Sequence, residues 1–144
     1  MASQQPLEEF LRAYHEGMDL FMRGSCEGVK PLFSRAVDVT LGNPFGPVAK
    51  GWERVADAME HAAQNYREGR ATGFDNISTV VTTELAYLVE IERLSAKVGG
   101  RPDVSDLALR VTTILRREQG DWKIVHRHAD PITSTRPPES VLPA

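Results

Sequence analysis

Apolar positions follow helical spacing in the first half of the chain and strand alternation in the second. Leu7, Phe10, Leu11, Tyr14, Met18, Phe21 and Met22 make one stripe that ends before Gly24, and Pro6 suits a first helical position. Ser25 is a candidate N-cap for a short second helix carrying Val29, Leu32 and Phe33 on one side. The period then changes. Val37, Val39 and Leu41 alternate with Asp38 and Thr40, a half-buried strand that runs into the turn-rich run Gly42-Asn43-Pro44-Phe45-Gly46-Pro47. Trp52, Val55, Ala58, Met59, Ala62, Ala63 and Tyr66 predict a third amphipathic helix, with Gly69 as its C-terminal cap. Beyond it only strands are expected, over 73–98 with a break near Thr83-Glu84, over 104–117 and over 122–129. Their turns fall at Gly99-Gly100-Arg101-Pro102 and Gln119-Gly120. Three N-terminal helices followed by antiparallel strands predict an α+β domain, helices packed on one face of a strongly curved sheet. We place that single domain at 1–131 and a Pro-rich tail at 132–144, where no apolar period survives.

Composition narrows the functional classes. The chain has 144 residues, enough for one core and too few for two. Net charge is −3 and the 17 basic residues are scattered, which argues against a nucleic-acid partner. No apolar stretch approaches the ~20 residues that span a bilayer, and Met1–Pro6 lacks a leader pattern, so neither membrane nor export is expected. Cys26 is the one cysteine, which precludes an internal disulfide and fits a reducing, cytoplasmic compartment. We read it as a small buried hydrophobe rather than a reactive thiol.

The last hairpin decides what faces inward. With Gln119-Gly120 as the turn, Glu118 faces Asp121, Ile124 faces Leu115, His126 faces Thr113 and His128 faces Val111. Trp122, Ile124, His126 and His128 then share the inner face, and Val125, Arg127, Ile114 and Arg110 the outer one. On this reading His126 and His128 are the candidates for acid–base chemistry, because imidazole exchanges a proton near neutral pH. The plain alternative is a pair of hydrogen-bonded core histidines. Neither a metal nor a cofactor is expected, since a zinc site needs a third protein ligand and none is apparent on that face. Tyr14, Trp52, Tyr87 and Thr113 are candidate ligand contacts, with core packing as the alternative for the aromatics. Asp38 is expected outside. With Val98 opposite Val104, Glu92 and Arg110 become cross-strand neighbours near Arg127, which we read as a surface or dimer ion-pair cluster; a sheet curled the other way would put these charges in the pocket.

The helix order, the Asn43-Pro44-Phe45-Gly46 loop, the closing helix from Trp52 to Tyr66 and the ending Gly120-Asp121-Trp122-Lys123-Ile124-Val125-His126-Arg127-His128 resemble the SnoaL-like, ketosteroid-isomerase-related branch of the NTF2-like superfamily. The likeness covers about residues 7–131. It implies a cone-shaped sheet whose mouth opens on an apolar ligand pocket, and dimers formed through the outer sheet face. It also implies a general-base aspartate before a Pro-x-Gly run, where this chain carries Asn43. The tyrosine donor of that site counts to Gly17, one turn from Tyr14, and its second acid falls near 112–114, where there is no carboxyl. Steroid-type isomerisation is therefore disfavoured. Asn43 is left to orient a ligand or to form a turn.

The expectation is a small-molecule-binding domain with a small apolar ligand and a homodimer through the outer face, where Val125, Ile114 and Leu94 sit. Two alternatives stand beside it: an acid–base enzyme (cyclase, dehydratase or isomerase) acting on an apolar carbonyl compound, and a structural dimerisation module whose pocket is filled by side chains.

Overall fold

The structure, a computed structural model, describes residues 4–144. Residues 1–3, the start of the stretch read for a leader, lie outside the described residues. Helix α1 spans Leu7–Phe21 and buries Phe10, Tyr14, Met18 and Phe21, the stripe expected from its spacing. The expected second helix is a single 3-10 turn, Lys30–Leu32. Pro31 accounts for the difference, because the Lys30 amide still bonds to the Cys26 carbonyl but Pro31 has no N–H to continue that ladder. Helix α2, Trp52–Ala63, is the other α-helix, so the described residues hold two rather than three.

Strand β1 (Thr40–Gly42) is shorter than the alternation suggested, with Val37 exposed and Val39 buried ahead of it. It pairs with β2 (Ala49–Lys50). The long strands are β3 (Tyr66–Val81), β4 (Leu85–Val98), β5 (Ser105–Glu118) and β6 (Asp121–Asp130). They form one six-stranded sheet in the order β2-β1-β6-β5-β4-β3, antiparallel except where β1 runs parallel to β6. Tyr66 therefore opens a strand rather than closing a helix, and Gly69 caps nothing. A Cβ on Gly69 would stand 2.0 Å from the Ser95 carbonyl oxygen. Glycine lets β3 and β4 close up at the irregularity between Arg67 and Arg70.

Both expected turns are present. Gln119 (φ 54°) and Gly120 (φ 85°) take the left-handed pair that a two-residue hairpin needs, and Glu118 faces Asp121. The other hairpin is offset from expectation: Ala96 faces Ser105, so Glu92 faces Leu109 and not Arg110. Helices and the 3-10 turn cover one face of the sheet, burying Leu88, Leu94, Val111, Leu115, Trp122 and Ile124 beneath them. Leu94, expected outside, is 1% exposed. Residues 131–144 are exposed throughout, with one short 3-10 turn at Pro138–Val141. Among the described residues no helix is long and apolar enough to cross a membrane.

Candidate functional site

One extra residue in β6 determines the chemistry of the concave face. Ile124 faces Leu115 and His126 faces Ile114, so Val125 has no partner and forms a bulge. Side chains alternate along a strand, and a residue left out of the ladder puts everything beyond it on the face opposite to the one that counting from the turn assigns. Trp122 and Ile124 point inward as expected, but so do Arg127 and Ala129, while His126 and His128 turn outward. His126 Nδ1 lies 2.7 Å from Thr40 Oγ1, and burial, followed by the neighbouring His128, lowers its pKa. His128 Nε2 is 3.3 Å from Asp130, and its side chain is 52% exposed. The acid–base role expected of these histidines loses its geometry, because neither faces the interior.

Arg127 takes their place. It is 7% exposed, and its Nη2 donates to Glu92 Oε1 at 2.6 Å, with Glu92 fully buried. Its Nε donates to the Tyr14 hydroxyl at 3.2 Å, and that hydroxyl donates to Glu92 Oε2. The three groups close a triangle in which the guanidinium and the carboxylate cancel in charge. Burial holds the Tyr14 hydroxyl well above its usual pKa, so it stays protonated as a donor. Burial works against the Arg127 charge, and Glu92, Tyr14 and Tyr66 more than restore it. Beside them Glu90, 5% exposed, is pushed up by burial and accepts from Asn76 at 3.4 Å.

Arg127, alone of the three, borders a mostly apolar cavity of about 40 Å³, room for a few water molecules. Met18, Met22 and Met59 line it, and their unbranched side chains can yield to a guest. Its polar lining is Asn43, Tyr66 and Arg127. Burial raises the Tyr66 hydroxyl to about 12, with Arg127 opposing. Among the described residues the side-chain hydrogen bonds of Arg127 use Nε and Nη2, which leaves Nη1 as a charged donor for whatever enters.

Of the candidate ligand contacts read from the sequence, Asn43 lines the cavity, and Tyr14 stands behind it on Arg127 and Glu92. Asn43 Oδ1 accepts from the Phe45 amide at 2.9 Å, and its amide nitrogen lies 3.4 Å from the Ala58 carbonyl, so it both shapes the loop and ties it to α2. Thr113 is buried on the concave face opposite Arg127 but does not line the cavity. Trp52 lies outside it with Arg35 stacked on its ring, and Tyr87 stands on the outer face, 40% exposed. Asp38 is outside as expected and pairs with Arg116. Arg110 pairs with Asp130 on the outer face, while Glu92 and Arg127 are interior rather than members of a surface cluster. A signal for this was present: Leu88, Glu90, Glu92 and Leu94 share one face of β4, and two carboxylates between two leucines require a buried cation.

Among the described residues one group has ligand atoms close enough for a metal, Cys26 with Glu27 and Glu60. Lys30 occupies the Glu60 carboxylate and burial raises the Cys26 thiol to about 11, both of which oppose a cation there.

Comparison with known proteins agrees with the architecture. Three solved structures share it at low identity. A provisionally named calcium/calmodulin-dependent protein kinase type II association domain from Thiobacillus denitrificans matches at TM-score 0.72 and 18% identity, over 92% of this chain and 99% of its own. A provisionally named dehydratase of the NTF2-like family from Streptomyces avermitilis matches at TM-score 0.72 and 20% identity, over 89% and 94%. A ketosteroid isomerase-like protein from Erwinia carotovora atroseptica gives 0.71 and 17%, over 88% and 94%. At such identities the likeness establishes the NTF2-like α+β fold and no activity. No curated protein matches the chain. The SnoaL-like domain model matches residues 7–133, nearly the whole chain, and the protein therefore belongs to the SnoaL-like domain family.

Proposed function

We propose that this protein binds a small, largely apolar molecule carrying one acceptor oxygen, with the oxygen directed at Arg127. The observation that carries the reading is a buried guanidinium, held by Glu92 and Tyr14, that keeps an unused donor beside a methionine-lined cavity. A guanidinium N–H that meets hydrocarbon gains nothing in place of water, so a guest that supplies a carbonyl or hydroxyl oxygen is favoured over a plain hydrocarbon. Because the ion pair is internally neutral, an uncharged guest suits the inner end better than an anion. Binding is preferred to acid–base catalysis because the Glu92 carboxylate is already committed to Arg127 and Tyr14, and no histidine faces the cavity.

Titration with octan-2-one, followed by amide chemical shifts, tests the reading. Saturable shifts should centre on Arg127, Tyr66, Met59 and the 43–45 loop. An absence of saturable shifts, or shifts confined to the outer sheet face, would refute it.

A further inference from the structure

A second concavity of about 410 Å³ lies outside the first, between α2 and the loop 43–49. Asn43, Phe45 and Ala62 line both spaces. Phe45 is therefore a partition: its ring leans on Tyr66 with centroids 5.7 Å apart, and it is 47% exposed. The outer space differs from the inner one in character. Arg54 and His61 line it, two helical turns apart on one face of α2, together with Asn65. Among the described residues neither Arg54 nor His61 joins an ion pair, whereas Arg23, Arg93, Arg110 and Arg116 each sit on a carboxylate.

The inner cavity alone holds only a few heavy atoms, so a guest of ordinary size has to extend past Phe45 into the outer space. We infer that the ligand is an oxo acid. Its carbonyl oxygen accepts from Arg127, its methylene body crosses beneath Phe45, and its carboxylate lies against Arg54. This rests on the reading of the inner cavity given above and adds the class of compound. The two polar ends match two unlike environments: a neutralised interior that favours an uncharged acceptor, and a solvated cationic rim that favours an anion.

Two probes that differ at one end separate the claims. Octan-2-one carries only the inner group, and 7-oxooctanoate adds the carboxylate. In amide-shift titrations of the native protein the acid should bind about fivefold more tightly, the upper end for a solvent-exposed ion pair. Arg54→Gln should bring the acid to the affinity of the ketone. Equal affinity of the two compounds in the native protein would overturn the oxo-acid proposal and leave the cavity reading standing. So would an advantage of the acid that survives Arg54→Gln. Failure of both compounds to bind would overturn the cavity reading, and the proposal with it.

Discussion

Arg127→Met removes the cation of a buried pair while preserving much of its volume. Glu92, fully buried, would keep one hydrogen bond from Tyr14 and lose its counter-charge at 2.6 Å. Breaking a buried pair from one side costs about 3–5 kcal/mol, against a total of about 5–15 kcal/mol for a domain. With a urea slope of about 2 kcal/mol/M, the unfolding midpoint should fall by about 1.5–2.5 M. The pair itself should be worth less than this loss, because two desolvated charges recover little beyond what well-packed apolar groups would. Adding Glu92→Leu to Arg127→Met should therefore restore stability, short of the native value by the orphaned Tyr14 hydroxyl, about 1–3 kcal/mol. Adding Tyr14→Phe as well should bring the triple variant close to native. Urea unfolding monitored by circular dichroism measures all four proteins. A single variant within about 1 kcal/mol of native, or a double variant no more stable than the single, would refute the argument that a buried, mutually satisfied triangle organises this core.

Gly69→Ala should lower stability by about 1–3 kcal/mol, because the new methyl meets the Ser95 carbonyl, whereas Gly73→Ala, with open space around it, should be near neutral; thermal melts compare them. Glu90 has a folded-state pKa above its unfolded value of ~4.3, so its stability contribution is fully present below that value and is lost as pH rises through the folded pKa. Glu90→Gln should accordingly be more stable than native near pH 7, with the advantage vanishing toward pH 4 in urea titrations. On the outer face Tyr87, Ile114 and Val125 lie among charges already paired within the chain, Arg110 with Asp130 and Arg116 with Asp38. We propose that a second copy covers this face, so light scattering at micromolar concentration should give about 32 kDa rather than the 16.0 kDa of one chain, and Ile114→Lys should return the mass to one chain.

The elements were legible wherever spacing and turn chemistry spoke together. The α1 stripe, the α2 face and the Gln119-Gly120 turn follow from local rules that tertiary packing left intact. Pro31 gave a local warning against the second helix that the apolar residues around it outweighed. Gly69 was misread because a glycine near a helix end and a glycine at a close strand contact look alike until the partner strand is known. The site was less legible for a different reason: period-2 alternation assigns faces only while the strand is regular, and an unpaired Val125 leaves no mark in composition. Tyr14 was found because its helix has no such ambiguity, while Arg127 and Glu92 were seen as a charged cluster and placed on the wrong side. Only β4, with its carboxylates between Leu88 and Leu94, contradicted that placement from sequence alone.

The bulge at Val125 acts as a parity bit for the last strand. Pairing that residue with β5, instead of leaving it out of the ladder, would keep the hairpin turn and the Trp122–Ile124 segment in register, yet exchange Arg127 and Ala129 for His126 and His128 on the concave side. The same nine-residue ending would then present paired imidazoles to the interior where a guanidinium now sits. Two chains of this family could thus share that ending letter for letter and differ in interior chemistry by one unpaired residue. For this terminal strand, counting residues from the turn is a less reliable guide to the site than asking which buried acid needs an answering charge.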